Sequence, residues 1–121
     1  MHELSIALSL LDVAGEERQR RDNPRVISLR LRLGPLAGVI REALQSAYEM
    51  AREGTDFAAC QLVIEDVPVM IHCRTCNADH PVPPPWQLIC PACGRGEVDL
   101  VSGRELDLAA MEIADETDVS Q

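Results

Sequence analysis

The stretches 73-CRTC-76 and 90-CPAC-93 are two Cys-x-x-Cys motifs separated by the 13 residues 77–89. Two residues between cysteines let a tight turn aim both sulfurs at one point, and a loop of this length can bring the second turn opposite the first. Four sulfurs placed in this way bind Zn²⁺ tetrahedrally and leave no ligand position for water. The spacing therefore predicts a structural zinc site with the ligands Cys73, Cys76, Cys90 and Cys93.

Disulfide formation or redox chemistry at these cysteines agrees less well with the rest of the sequence than zinc binding does. Two disulfides need an oxidising compartment, but the start Met-His-Glu lacks the positive charge of a secretory signal. A thioredoxin-like redox pair would not need a second pair at this spacing, whereas iron could also occupy four thiolates.

His72 and His80 flank the motifs and are interpreted as polar loop residues, because four cysteines already fill the coordination shell of the metal. Cys60 lies in an apolar run and is interpreted as a small buried side chain. Gly94 is expected to supply the positive φ of a turn.

The segment that holds the cysteines is too short to fold by burial alone. Residues 72–95 are rich in proline, and their apolar side chains are few. A segment of this length is far below the ~40 residues at which domains usually become stable without staples. Zinc binding contributes ~10–16 kcal/mol in small zinc modules and is expected to supply most of the folding free energy here.

Composition excludes several classes of function. The chain has 121 residues, a net charge of −9 and a pI of about 4.6. An acidic surface repels a phosphate backbone, so nucleic acid is not an expected partner. No apolar run approaches the ~20 residues that cross a bilayer, and we expect a cytoplasmic protein without a membrane partner. No Ser/His/Asp set or glycine-rich phosphate loop is evident in the sequence, so we do not expect an enzyme.

Hydrophobic periodicity predicts an α+β fold, with two helices packed on a short β-sheet and an inserted zinc-ribbon-like module. The helices are predicted over 4–15, ended by the charged run 16–22, and over 39–53, closed by Gly54. Strands are predicted over 25–34, 61–67, 97–101 and 105–110, with 69–72 leading into the zinc loop. The predicted organisation is a discontinuous α+β domain over 1–71 and 96–114, a zinc module over 72–95, and an acidic tail over 115–121 that we expect to be disordered.

The amino end offers a second type of metal site. Met1 and His2 together can provide an amine, a backbone amide and an imidazole in fused chelate rings, and such nitrogen sets favour square-planar Ni²⁺ and Cu²⁺. An imidazole binds metal only when it is neutral, and the reference histidine pKa of ~6.5 allows this at cytoplasmic pH. The charge of Glu3 favours a nearby cation and also suits a helix start. Taken alone, a second-position histidine is more often a solvent-exposed terminal residue.

Four segments together resemble the HypA/HybF family of nickel-incorporation proteins. They are MHELS at 1–5, GPLAGV at 34–39, IEDVP at 64–68 and the paired Cys-x-x-Cys motifs, so the resemblance extends over residues 1 to about 113. It implies a nickel metallochaperone for maturation of [NiFe]-hydrogenase and, in some bacteria, of urease. By position it implies that His2 binds nickel with backbone assistance from Met1 and Glu3, and that the four cysteines bind zinc. The family often has an acidic residue where this chain has Ile40.

The resemblance also implies partners. These are a GTP-hydrolysing nickel accessory protein and the precursor of the hydrogenase large subunit, and the chain itself is expected to be a monomer or a weak homodimer. The alternative is a zinc-ribbon interaction or regulatory protein that transfers no nickel. Metal stoichiometry separates the two hypotheses, because a chaperone binds one exchangeable Ni²⁺ beyond the zinc and an adaptor binds zinc alone.

Overall fold

The computed structural model describes residues 2–114 and has an α+β fold. The predicted acidic tail, 115–121, lies outside the described residues. No helix in the described part of the chain is long and apolar enough to cross a membrane. In chain order the elements are α1 (Glu3–Arg20), β1 (Val26–Leu33), a short 3₁₀ helix (Pro35–Ala37), α2 (Arg41–Ala51), β2 (Gln61–Asp66), β3 (Met70–Cys73), β4 (Ala78–Pro81), β5 (Val98–Ser102) and β6 (Leu106–Ile113).

The chain divides into two compact units. Within the described residues, the first comprises 2–31, 39–65 and 107–114, and the second comprises 32–38 and 66–106. The sheets follow the same division, because one sheet has the order β2-β1-β6 and the other has the order β4-β3-β5. The prediction of an α+β fold with two helices is confirmed, but the strands form two small sheets rather than one. The predicted zinc module, 72–95, lies inside the second unit, which extends beyond the module on both sides.

The first unit contains both helices, which pack against each other. The predicted strand at 25–34 is present as β1, and alternation along it buries Leu29, Leu31 and Leu33, while Arg30 is exposed. Tyr48 of α2 is fully buried, and its hydroxyl donates to the carbonyl of Cys60 at 2.9 Å. Burial of Cys60 is confirmed, since only 1% of it is exposed.

Both helices differ from the predicted lengths. The charged run 16–22 does not end α1, which continues to Arg20 because Glu17 forms ion pairs with Arg20 at 2.9 Å and Arg21 at 3.3 Å. Pairs at this spacing stabilise the last turn of α1, which lies beyond the buried apolar residues Ala7, Leu10, Leu11 and Ala14. In contrast, α2 begins at Arg41 and ends at Ala51, which is shorter than the predicted 39–53. Gly54 has a φ of +73° but follows the end of the helix by three residues.

The second unit is built around the central strand β3. Met70 to Cys73 pair antiparallel with Pro81 to Ala78 of β4 and also with β5, where Cys73 faces Val98. The sequence predicts that residues 78–81 belong to the loop between the two cysteine pairs. The register with β3 instead makes 78–81 a strand, and it ends at Pro81.

Gly34 and Gly103 approach each other within the second unit. The amide of Leu36 donates to the carbonyl of Gly103 at 2.8 Å, and the amide of Gly34 donates to the carbonyl of Glu105 at 2.8 Å. A β-carbon on Gly34 would overlap the Gly103 carbonyl and would lie 2.8 Å from the amide nitrogen of Arg104. Backbone atoms cannot move aside as a flexible side chain can, so Gly34 is required for this approach.

We therefore expect Gly34→Ala to destabilise the protein by about 2 kcal/mol, the middle of the range for overpacking. The matched control is Gly96→Ala, since a β-carbon at Gly96 meets nothing within 4 Å. The control should change stability by less than ~1 kcal/mol. Urea unfolding of the zinc-loaded variants measures both values, and equal stability of the two variants would contradict this role of Gly34.

Candidate metal centre

Each Cys-x-x-Cys motif forms the same tight turn. The amide of Asn77 donates to the carbonyl of Cys73 at 2.7 Å, and the amide of Gly94 donates to the carbonyl of Cys90 at 2.8 Å. The residue after each second cysteine has a positive φ, +54° for Asn77 and +77° for Gly94. The expected turn role of Gly94 is confirmed. The equivalent role of Asn77 was missed, although asparagine is one of the few residues that tolerate this conformation.

The two turns bring four sulfurs together. Cys73 Sγ lies 3.7 Å from Cys93 Sγ, and Cys76 Sγ lies 3.8 Å from Cys90 Sγ. All four sulfurs lie within 4.8 Å of one another. A tetrahedron with Zn–S bonds of ~2.3 Å has S···S edges of roughly 3.8 Å. These separations exceed the ~2.05 Å of an S–S bond and fit one tetrahedral metal ion.

Backbone donors prepare some of these thiols to ionise. The amide of Cys76, 3.3 Å from Cys73 Sγ, is the main cause of a lowered pKa at Cys73. Burial opposes ionisation of Cys90, but the amides of Cys93 and Ala92 outweigh it and lower its pKa to about 7. Hydrogen bonds with the neighbouring thiols, first of all Cys73, raise the pKa of Cys76 to about 12. A bound cation would remove this competition by replacing the shared protons, since metal binding releases protons from thiols.

The cysteine cluster rests on the core of the second unit. Cys73 and Cys90 are buried together with Val69, Ile71 and Val82. Four partly buried side chains complete this core, namely Leu36, Trp86, Val98 and Leu100. Five of these nine residues lie outside the predicted module 72–95, so apolar burial contributes more to this unit than the few apolar side chains of 72–95 could supply alone. Cys76 and Cys93 are exposed at the surface.

Neither histidine near the cysteines joins the cluster. The structure groups Cys73, Cys76, Cys90 and Cys93 without a histidine among the described residues. His72 Nδ1 instead lies 2.7 Å from Asp79 Oδ1, its partner residue across β3 and β4. His80 faces Ile71 across the same pair of strands.

The amino-terminal residues lie in the first unit. His2 is exposed and directly precedes α1, and its side chain makes no capping hydrogen bond. Its carbonyl accepts the first bond of the helix from the amide of Ile6 at 3.2 Å. Glu3 Oε2 accepts a hydrogen bond from the amide of Ile40 at 3.4 Å, which connects the starts of α1 and α2. Met1 lies outside the described residues.

Comparison with known proteins identifies the family. The profile described as "Hydrogenase/urease nickel incorporation, metallochaperone, hypA" matches residues 1–113. The chain belongs to this family. It is therefore a metallochaperone of the HypA type rather than an enzyme, and it carries a four-cysteine metal site.

Individual HypA relatives match over nearly their whole length. The chain is 41% identical over 112 residues to the hydrogenase maturation factor HypA of Chloroflexus aggregans, covering 93% of this chain and 98% of that one. It is 42% identical over 113 residues to the protein of the same name from Synechococcus elongatus, covering 93% and 99%. The solution structure of the Ni metallochaperone HypA from Helicobacter pylori has a TM-score of 0.67 and 23% identity, covering 96% and 100%. At that identity the structure supports the fold alone.

Replacement of one cluster cysteine should remove the tightly bound metal. We expect Cys90→Ala to lose about one equivalent of zinc, because a three-thiolate site forfeits much of the ~10–16 kcal/mol of zinc binding. Proteolysis should then begin within residues 72–95. Metal content after dialysis and limited proteolysis with mass spectrometry measure the two effects.

The matched control for this prediction is Cys60→Ala. Cys60 is the fifth cysteine and lies outside the cluster. The Cys60→Ala variant should retain the full equivalent of zinc and the wild-type pattern of proteolytic cleavage. Equal zinc content in Cys90→Ala and Cys60→Ala would show that the four sulfurs are not the metal site.

Proposed function

We propose that this HypA protein binds Ni(II) at its amino end through His2 and delivers it during maturation of [NiFe]-hydrogenase. Backbone groups of Met1 and Glu3 assist the imidazole. The observation that carries the proposal is the position of His2, whose exposed and uncapped side chain directly precedes α1 in a chain of the nickel-incorporation family. Urease is a further recipient that the family description includes.

Main-chain chemistry at the start of α1 supports this site. The first intrahelical bond runs from the amide of Ile6 to the carbonyl of His2. The amides that precede Ile6 in the first turn therefore have no partner within the helix. A helix start attracts anions rather than cations, so a neutral donor set would bind Ni²⁺ against the helix dipole. A deprotonated amide and the Glu3 carboxylate supply negative charge that offsets the repulsion between Ni²⁺ and the positive end of the helix dipole.

We further propose that Cys73, Cys76, Cys90 and Cys93 hold Zn(II) in a structural role. The S···S separations of 3.7 and 3.8 Å support a closed tetrahedral site with no position for a substrate. Zinc has no redox chemistry and suits a site that stabilises the fold. Nickel and zinc thus bind different donor sets, nitrogen at the terminus and sulfur in the second unit.

The partners that we propose follow from the same transfer reaction. The chain works in the cytoplasm with a GTP-hydrolysing nickel accessory protein and with the precursor of the hydrogenase large subunit. In the alternative function, a zinc-containing interaction or regulatory protein, the four-cysteine cluster would support a docking surface and the amino end would hold no metal.

His2→Ala should abolish the nickel site because it removes the side-chain ligand and leaves only main-chain donors. One residue added before Met1 should have a similar effect, since it displaces the terminal amine from the chelate. Titration of the zinc-loaded protein with Ni²⁺, followed by absorption spectroscopy and calorimetry, measures the loss. Zinc content should remain unchanged in both variants.

Controls for the nickel site come from the other two histidines of the chain, His72 and His80. His72→Ala and His80→Ala should bind nickel with wild-type affinity. Undiminished nickel binding by His2→Ala would falsify the site assignment.

Stoichiometry separates the chaperone from the adaptor. The chaperone should bind one exchangeable Ni²⁺ in addition to one Zn²⁺. A mild chelator should remove the nickel before the zinc, because the zinc site is closed. Elemental analysis before and after mild chelation measures both ions. A protein that binds only zinc, even with excess nickel, would support the adaptor.

A further inference from the structure

Both helices of the first unit begin without a side-chain cap. His2 precedes α1 and Ile40 precedes α2, and neither side chain makes a capping hydrogen bond. Such helix starts leave amides without partners in the first turn and tend to fray. Other contacts therefore determine where each helix begins and how firmly its first turn is held.

One hydrogen bond connects the two helix starts. Glu3, the residue after His2, accepts it through Oε2 from the amide of Ile40 at 3.4 Å. The carboxylate thereby lies at the amino end of α2 as well as that of α1, where both helix dipoles favour a negative charge. The contact uses the main chain of Ile40, so its geometry depends on the position at which α2 begins.

Arg41 anchors the start of α2 to the sheet. Its Nη2 donates to the carbonyl of Ile64 in β2 at 3.1 Å, in a partly buried contact. The first intrahelical bond of α2 forms at the same point, from the amide of Leu44 to the carbonyl of Ile40 at 2.9 Å. Because Ile40 and Arg41 are adjacent in the chain, a side chain bound to β2 holds the amide that Glu3 contacts.

We infer that Arg41 is a positioning residue for the nickel site. It holds the Ile40 amide in place, and that amide holds the Glu3 carboxylate beside His2. The inference rests on the proposed nickel site at the amino end and deepens it, because Arg41 is not part of the proposed donor set and acts on the site through two intermediates.

The position of the Glu3 carboxylate matters because the attraction between opposite charges weakens with distance. A carboxylate held near His2 attracts Ni²⁺ and offsets part of the repulsion from the α1 dipole. Without the Ile40 amide, the glutamate side chain populates other rotamers, and the average negative charge near the amino end falls. The imidazole and main-chain donors remain, so nickel should bind to the same atoms but more weakly.

Arg52 provides a matched control at the other end of α2. Its Nη1 donates to the carbonyl of Cys60, the residue before β2, at 2.8 Å. Loss of either arginine removes a charge-assisted hydrogen bond that ties one end of the same helix to a main-chain carbonyl. Only Arg41 adjoins the amide that Glu3 contacts. A purely structural role therefore predicts equal nickel affinity after substitution of Arg41 or Arg52.

Calorimetric titration of the zinc-loaded full chain with Ni²⁺ tests the inference. Arg41→Met should raise the nickel dissociation constant roughly fivefold, the upper range for one partly exposed charge. Its nickel absorption bands should keep their wild-type positions, because the donor atoms are unchanged. Arg52→Met should bind within about twofold of wild type. Arg41→Lys should do the same, since an ammonium group can also donate to one carbonyl.

A double-mutant cycle tests the route from Arg41 to the site. Glu3→Ala removes the carboxylate and should also raise the dissociation constant roughly fivefold. If Arg41 acts through Glu3, Arg41→Met should add less than about twofold in the Glu3→Ala background. Ile40→Pro removes the amide donor without altering Arg41, at a φ of −84° that is near the range of about −65 ± 15° required by proline. It should match Arg41→Met.

Circular dichroism and zinc content establish that each variant is folded. Equal nickel affinity in Arg41→Met and Arg52→Met, with binding still lost in His2→Ala, would overturn the role of Arg41 and leave the nickel site intact. Additive effects of Glu3→Ala and Arg41→Met would also overturn that role, because Arg41 would then act by another route. Nickel binding that survives in His2→Ala would overturn the site and this inference together.

Discussion

The second unit depends on one geometric requirement, the convergence of four sulfurs at a spacing that a single small cation can bridge. Two turns of nearly identical conformation meet this requirement, each closed by an amide that donates to the carbonyl of its first cysteine at 2.7 to 2.8 Å. Positive φ angles at Asn77 and Gly94 allow both turns. Because Cys73 ends β3 and Cys90 lies in the core beneath it, the same sulfurs connect the metal site to the sheet.

Local patterns in the sequence predict the metal cluster, the helix and strand types and the covered face of β1. They succeed because Cys-x-x-Cys turns and alternating leucines are short-range signals. The end of α1 was wrong, since Glu17 and its two arginines stabilise the helix through a charged run. The number of sheets was also wrong. Whether β5 pairs with β3 or with β1 depends on long-range register, which no local pattern encodes.

The two proposed metal sites have opposite physical character. The sulfur cluster is closed, half-buried and held by a folded core, so exchange of its ion would disrupt the surrounding structure. The amino end is exposed, and its donors belong to the first residues of a helix that is complete without a metal. A protein that transfers an ion needs such an open site, because the recipient must reach the donors one at a time.

The position of β6 in the chain has a consequence for biosynthesis. Residues 67–105 separate β2 from β6, yet β6 pairs with β1 in the first sheet. A ribosome therefore completes both cysteine motifs before the third strand of that sheet exists. During this interval one side of β1 remains unpaired, and such edges are prone to aggregation. The chain order therefore gives β1 its second partner only after residues 106–113 have been synthesised.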